Sequence, residues 1–259
     1  MKIFISEDDF KEIAIKTKDD LVDCCKKLDI EIVSDISKAD IIFSIGGDGT
    51  FLNTAKLTDK PLIGINTGTL GYLTEVNPDD LERDLKNILN GNYTIENRMM
   101  VEGKIIKSNG DEIIIPESLN EIAISKNVNG VVRFDAIVND KLITSYIADG
   151  ILVCTPTGST AYNLSCGGPI VDPTAEILIL TPIAPHTVLN KSIVLSKKSI
   201  IKIKITELRE NTSAYVLNDG IPNKLESGDM VEIKKSDKIT KIIKLEDRSF
   251  VDTVRENLS

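Results

Sequence analysis

The chain has 259 residues, enough for two modest domains or one large one around a sizeable core. Hydrophobic residues at 41% and charged residues at 27% are ordinary for a globular protein, but aromatics at 4% with no Trp argue against a broad stacking platform for single-stranded nucleic acid. Lys plus Arg is 31 against 40 Asp plus Glu, and the net charge of −9 argues against a nucleic-acid or anionic-membrane surface, while leaving room for a small phosphorylated ligand in a local pocket.

In chain order, the N-terminus from Met1 to Asp8 carries acid where a signal peptide has its apolar region. No stretch approaches the roughly 18 apolar residues of a membrane span, so a soluble cytoplasmic protein is expected. Lys2 to Ile5 predicts a short strand. Phe10, Ile13, Ala14, Leu21, Cys25 and Leu28 then recur at mostly helical spacing. Ile30 to Val33 and Ile41 to Ile45 are β-branched runs suited to buried parallel strands. A glycine-rich turn at Gly46 to Gly49 leads into a helical pattern through Phe51, Leu52, Ala55 and Leu57. Pro61 to Asn66 predicts another strand, and Leu81, Leu85, Ile88 and Leu89 another amphipathic helix. This alternation predicts an α/β domain with a parallel sheet over residues 1–92.

Beyond Gly91 the rhythm becomes short β-branched runs: Val101 to Lys107, Glu112 to Pro116, Glu121 to Ser125, Val131 to Val138, Ile151 to Cys154, Ile177 to Leu180, Ile200 to Ile205, Ala214 to Leu217 and Val231 to Lys235. Turn signals at 108–111, 127–130, 139–140, 218–220 and 227–229 separate them. Such spacing predicts an antiparallel, sandwich-like all-β domain over 93–244. Phe250, Val254 and Leu258 predict a short helix in a tail, about 245–259, expected to pack back on the first domain.

The single histidine, His186, leaves no H-E-x-x-H and no Cys/His zinc pattern. Cys24, Cys25, Cys154 and Cys166 lack C-x-x-C spacing and fit reduced thiols. Three clusters carry chemistry. Gly46-Gly47-Asp48-Gly49-Thr50 directly follows a strand; glycines there let backbone N–H groups meet phosphate oxygens, and an aspartate can act as general base or help hold Mg²⁺, or simply cap the helix. The sequence contains neither a Walker motif nor G-x-G-x-x-G. Thr155 to Pro169, preceded by Asp149-Gly150, is a long uncharged run of hydroxyls, amides and glycines, suited to a sugar hydroxyl or an adenine edge. Asn120-Glu121 lies on the approach to a strand.

In order and spacing these clusters, with Pro182-Ile183-Ala184-Pro185-His186-Thr187, resemble the NAD kinase family over most of the chain. The G-G-D-G-T element is shared with lipid kinases and phosphofructokinases; the T-P-T-G-S-T-A-Y-N-L-S-x-G-G-P block is much more specific. The resemblance implies a site between domains, a homodimer or homotetramer, and phosphoryl transfer from ATP with Mg²⁺ to the 2′-hydroxyl of the adenosine ribose of NAD, with no tightly bound prosthetic group. It implies Asp48 as general base, and Gly46, Gly47, Gly49 and Thr50 around the donor's phosphates. NAD would meet Asp48, Gly49, Asn120, Glu121, Asp149, Thr160, Ala161, Tyr162, Asn163, Leu164, Ser165 and Ala184, with Asp149 accepting from the nicotinamide carboxamide and Ala184 near the adenine. No residue is assigned as a direct metal ligand. The chain departs from the family pattern at Ile147, where Arg is common, at Thr69, often basic or His, at Ile221, often Gln, and at Leu189 to Ser192, which lacks the usual Arg-Pro. Two other readings remain: a lipid kinase, disfavoured by the lack of a basic amphipathic surface, and a non-catalytic dinucleotide sensor, which has no need of Asp48.

Overall fold

Runs of β-branched residues spaced by amphipathic helices build a parallel sheet in the computed structural model, which describes residues 1–7, 12–68, 71–127, 130–209, 212–219, 221–245 and 249–258. Phe10, Thr69, Gly220 and the middle of the 127–130 turn, on which sequence expectations fall, lie outside the described residues. Strands β1 (Lys2–Glu7), β2 (Glu31–Ile32), β3 (Ile41–Gly46) and β4 (Leu62–Asn66) lie in the order β2-β1-β3-β4, all parallel. Helix α1 (Glu12–Lys27) links β1 to β2, α2 (Asp48–Leu57) links β3 to β4, and α3 (Leu81–Leu89) follows β4. β3 is buried at every position, as a strand covered on both faces must be. From β1 the chain steps outward to β2, then crosses back to β3 and β4, so the winding reverses between β1 and β3. In open α/β sheets, that reversal opens a crevice at the carboxyl ends of the two strands.

This first unit comprises Met1–Arg98 and Ile239–Ser259. Its core gathers Ile3, Leu21, Phe43, Ile63, Leu85 and Ile243. α1 buries Ala14, Thr17, Leu21 and Cys25, spaced 3, 4 and 4 apart, while Ile13 of the expected apolar stripe is 51% exposed. Thr17 is tolerated inside because its hydroxyl donates to the Ile13 carbonyl at 2.8 Å. β2 has two residues, both exposed, where four were expected: a short edge strand presents few unpaired backbone groups.

The second unit, Met99–Lys238, is antiparallel β. It is built from β5 (Thr94–Ile106), β6 (Glu112–Ser118), β7 (Glu121–Lys126), β8 (Val132–Val138), β9 (Lys141–Ala148), β10 (Gly150–Cys154), the single-turn helix α4 (Tyr162–Ser165), β11 (Ile177–Ile183), β12 (Ile193–Ser196), β13 (Ile201–Glu207), β14 (Ala214–Asn218), β15 (Ile221–Leu225) and β16 (Met230–Lys244). One sheet has the order β12-β11-β10-β7-β14-β15; in the other, β16, β13, β8 and β9 are neighbours in turn, with β5 beside β16 and β6 beside β5. Phe134, Tyr146, Ile151, Val153, Ile203 and Val231 share its core. β9, β12 and β15 add to the expected strands, and β16 runs 15 residues instead of five. Chain passage between the units falls within β5 and within β16. In the first unit the end of β16 pairs with β4 in parallel, Ile242 against Leu62, and α5 (Phe250–Leu258) closes the chain. Among the described residues no helix is long and apolar enough to cross a membrane, and all four cysteines are free.

Candidate active site

The glycine-rich turn sits where the winding of the first sheet reverses. Gly46 ends β3, Gly47 is the N-cap of α2, and Asp48 is the first residue of that helix. A cavity of about 390 Å³ opens there, lined by Ser6 and Glu7 at the end of β1 and by Gly47, Gly49, Thr50, Asn53, Thr54 and Leu57. A Cβ at Gly47 or Gly49 would meet nothing within 4 Å, so both glycines leave free space. Free backbone N–H groups at the first turn and the helix dipole favour an anion in such a place. Hydroxyls tie the walls together: Thr54 Oγ1 lies 2.9 Å from Ser6 Oγ, 3.3 Å from Ser44 Oγ and 2.8 Å from the Thr50 carbonyl. Glu7 is the carboxylate on the wall, and Lys18 pairs with it.

Asp48 is not the helix cap that its position allows. No side chain caps α2. Instead, Tyr72 N–H donates to Asp48 Oδ2 at 3.0 Å and Leu73 N–H to Oδ1 at 3.1 Å. Those amides come from the segment after β4, whose carboxyl end lies beside that of β3. The carboxylate is therefore anchored by backbone while its residue remains partly exposed. The Tyr72 hydroxyl is buried without a partner, and burial, with the Asp48 charge second, makes it a weaker acid, its pKa above the usual phenol value.

In the second unit, Asn120 and Glu121 stand at the start of β7. The Asn120 carbonyl accepts Thr155 N–H at 2.9 Å. Glu121 has one carboxylate oxygen, Oε2, buried with no partner. Burial, and next the nearby Asp219 charge, push Glu121 up to about 7. Asp219 is turned toward this strand end and accepts from Leu119 N–H at 3.3 Å and Glu121 N–H at 3.4 Å, holding a left-handed φ of 42°.

The Thr155 to Pro169 run, expected as a long irregular loop, folds into a 3₁₀ turn over Thr157–Thr160 followed by α4. Much of its polar chemistry is used to hold its own shape. Thr155 Oγ1 donates to the Leu119 carbonyl at 2.6 Å and accepts Gly158 N–H at 3.1 Å. Ser159 Oγ bridges both backbone groups of Val171. Asn163 is fully buried: its amide nitrogen donates to the carbonyls of Ser159 and Pro169, each at 3.0 Å, and its oxygen accepts the Thr181 hydroxyl at 2.7 Å. Gly168 lies so close that a Cβ there would be 2.0 Å from Asn163 Oδ1. Thr160, Ala161, Tyr162 and Leu164 are partly exposed and Ser165 is exposed, so these, rather than the Asn163 side chain, are open to a ligand. Burial foremost, then Cys166, raises the Tyr162 hydroxyl, with Asp149 and Glu121 contributing less.

Asp149 lies between β9 and β10 and makes an ion pair with Lys126 at 2.8 Å. Ala184 is exposed at the end of β11 with φ 43°, a conformation an alanine adopts only where its surroundings impose it. His186 is exposed, and its backbone N–H donates to the Ile147 carbonyl at 2.7 Å. Sequence reasoning overlooked Gly71, Tyr72 and Leu73, the source of the Asp48 anchor, together with Lys126 and the Asp219 carboxylate. A G-T-L-G-Y run after the strand next to G-G-D-G was the available signal for the first group.

Two family models match the chain. The ATP-NAD kinase N-terminal domain covers residues 6–93 and the ATP-NAD kinase C-terminal domain covers residues 119–245. A protein named NAD kinase from Caldanaerobacter subterraneus subsp. tengcongensis is 43% identical over 228 residues, 86% of this chain and 80% of the relative. One of the same name from Ruminiclostridium cellulolyticum is 36% identical over 236 residues, 89% of this chain and 82% of the relative. Among solved structures, an NAD kinase from Archaeoglobus fulgidus in complex with ATP superposes with a TM-score of 0.79 at 27% identity, over 98% of this chain and 99% of that one. Yeast NADH kinase complexed with NADH shares the fold, with a TM-score of 0.88 at 21% identity over 100% of this chain and 87% of that one.

Proposed function

Because the chain belongs to the ATP-NAD kinase family and is an enzyme of that family, we propose that it transfers the γ-phosphoryl group of ATP to the 2′-hydroxyl of the adenosine ribose of NAD, giving NADP. The observation that carries this reading is the anchored Asp48 carboxylate on a helix whose first turn borders an open cavity. Asp48 is the general base. A carboxylate is a far weaker base than an alkoxide, so it accepts the 2′-hydroxyl proton as the new O–P bond forms and ADP departs. The rate then depends chiefly on how well nucleophile and phosphorus are aligned, which is why a fixed carboxylate matters. ATP binding is supported by the Archaeoglobus fulgidus neighbour, and Gly46, Gly47, Gly49 and Thr50 form the receptor proposed for the donor's phosphates. Asn120, Glu121, Asp149, Thr160, Ala161, Tyr162, Leu164, Ser165 and Ala184 are proposed to meet NAD, with Asn163 shaping the loop that presents them.

Among the described residues no group of three or more His, Cys, Asp or Glu is placed to hold a metal ion. Mg²⁺ is accordingly proposed to ride on the donor's phosphates, the mode in which it needs only one or two protein carboxylates. When bound it neutralises the triphosphate. Incubating the protein with ATP, Mg²⁺ and NAD, and following NADP with an NADP-specific dehydrogenase, tests the reaction. Asp48→Asn is expected to lower kcat by about 10²–10⁴-fold with NAD affinity largely kept. Wild-type turnover in that variant removes Asp48 as the base.

A further inference from the structure

We infer that Gly71 is a positioning residue of the reaction: with no side chain at 71, the paired amides of Tyr72 and Leu73 can grip the Asp48 carboxylate and hold it in the orientation that receives the ribose proton. The inference rests on Asp48 being the base. A Cβ built on Gly71 would lie 2.2 Å from Asp48 Oδ1, 2.7 Å from Cγ and 2.9 Å from Oδ2, inside van der Waals contact with every carboxylate atom. Even a methyl group must therefore push the whole carboxylate away. The grip itself needs this approach, since the two donors are the next two amides in the chain, at 3.0 and 3.1 Å. Without it, an aspartate on the first turn of a helix is free to turn toward solvent or to bond the nearby backbone. A carboxylate offers about four lone-pair sites, so two remain for the substrate hydroxyl after both amides are bound.

The same loop contains its own control. Gly68 has its N–H on Asn66 Oδ1 at 3.0 Å, and a Cβ there would meet nothing within 4 Å. One glycine of the loop is pressed on the carboxylate and the other is not. A general sensitivity of the loop would affect both; an effect through Asp48 is confined to Gly71.

The experiment uses Gly71→Ala, Gly68→Ala, Asp48→Asn and the double variant Asp48→Asn/Gly71→Ala in the full chain. A shift of about 1 Å in a reacting group costs on the order of 10²-fold, so Gly71→Ala should lower kcat by about that factor, with KM for NAD and Tm little changed. Gly68→Ala should keep kcat, and in the Asp48→Asn background Gly71→Ala should add no further loss, since the two act as one unit. Independently of turnover, the Tyr72 and Leu73 amide resonances of ¹⁵N-labelled protein should move upfield in Asp48→Ala, and Gly71→Ala should reproduce that movement. The inference is overturned if Gly71→Ala keeps wild-type kcat, if it costs the same factor with and without the Asp48 carboxylate, if Gly68→Ala loses as much, or if the two amides ignore Asp48→Ala. A fully active Asp48→Asn variant would instead remove the base assignment while the amide shifts still report whether the grip exists.

Discussion

At the scale of single residues, Glu121 is the group whose protonation couples folding to pH. The usual glutamate value is 4.5, and burial beside Asp219 pushes Glu121 up to about 7. Between these values the folded protein holds a proton that the unfolded chain has released. The unfolded state then binds fewer protons, so stability falls as pH rises through this window and the cost is fully present above about 7. Glu121→Gln removes the titration. Without nucleotide, its stability relative to wild type should be unchanged near pH 4.5 and should rise to at most about 3 kcal/mol above pH 7, from 1.36 kcal/mol per unit. Thermal or urea unfolding across pH 4.5–8 checks this, and parallel curves for the two proteins would show that the carboxylate is paired or solvated instead. The same scale explains what could be read beforehand. Asp48 stood out as a candidate because the G-G-D-G-T run, which alone left a helix cap open, falls in order and spacing with the other clusters of the family resemblance. Its anchor was not, because it is made by main-chain N–H groups 24 and 25 residues away, and a backbone amide has no residue type to recognise. The family resemblance implied Asn163 as a ligand contact; only its burial reveals that all three of its bonds point inward.

At the scale of elements, β-branched runs located the buried strands, whereas strands with one wet face escaped. β9, Lys141–Ala148, has a polar or partly exposed residue at most positions, so its period-two signal is weak. It is fixed by its partner: Phe134 of β8 stands directly opposite Tyr146, with ring centroids 5.4 Å apart and planes at 28°. That pair is a core contact of the second unit, yet the Tyr146 hydroxyl is buried with no partner. An unpaired buried hydroxyl costs more than it returns, so Tyr146→Phe keeps the stacking and removes the penalty. The variant should be more stable by about 1 kcal/mol, or a Tm gain of a few degrees. A loss of similar size by calorimetry would mean that water reaches the hydroxyl and bonds it. Turn signals and apolar runs sufficed for the fold class, because β-branched runs spaced by helical patterns mark a parallel sheet and closely spaced runs parted by turns mark an antiparallel one. The lengths of β5 and β16 were underestimated because polar residues such as Glu96, Asn97 and Arg98 in β5 and Ser236, Asp237 and Lys238 in β16 break the apolar pattern without ending the strand.

At the scale of the whole molecule, a net charge of −9 has to coexist with a polyanionic donor. The two effects act over different distances. Repulsion from the summed acidic charge extends over a Debye length, about 30 Å at 0.01 M salt and about 10 Å at 0.1 M. Attraction at the first turn of α2 comes from backbone N–H groups and about half a positive charge of helix dipole, and it dies within a turn. Open glycines at 47 and 49 leave the space through which the proposed donor phosphates would reach that short range. Added salt therefore screens the repulsion before it weakens the grip. For ATP at saturating NAD and fixed free Mg²⁺, kcat/KM should rise about two- to five-fold between 0.01 and 0.15 M KCl, the reverse of an enzyme that steers its substrate with a basic face. Initial rates across that series decide the point. A steep fall would reveal a local cationic field strong enough to outweigh the global charge, and would move the search for phosphate recognition from backbone to lysine and arginine side chains.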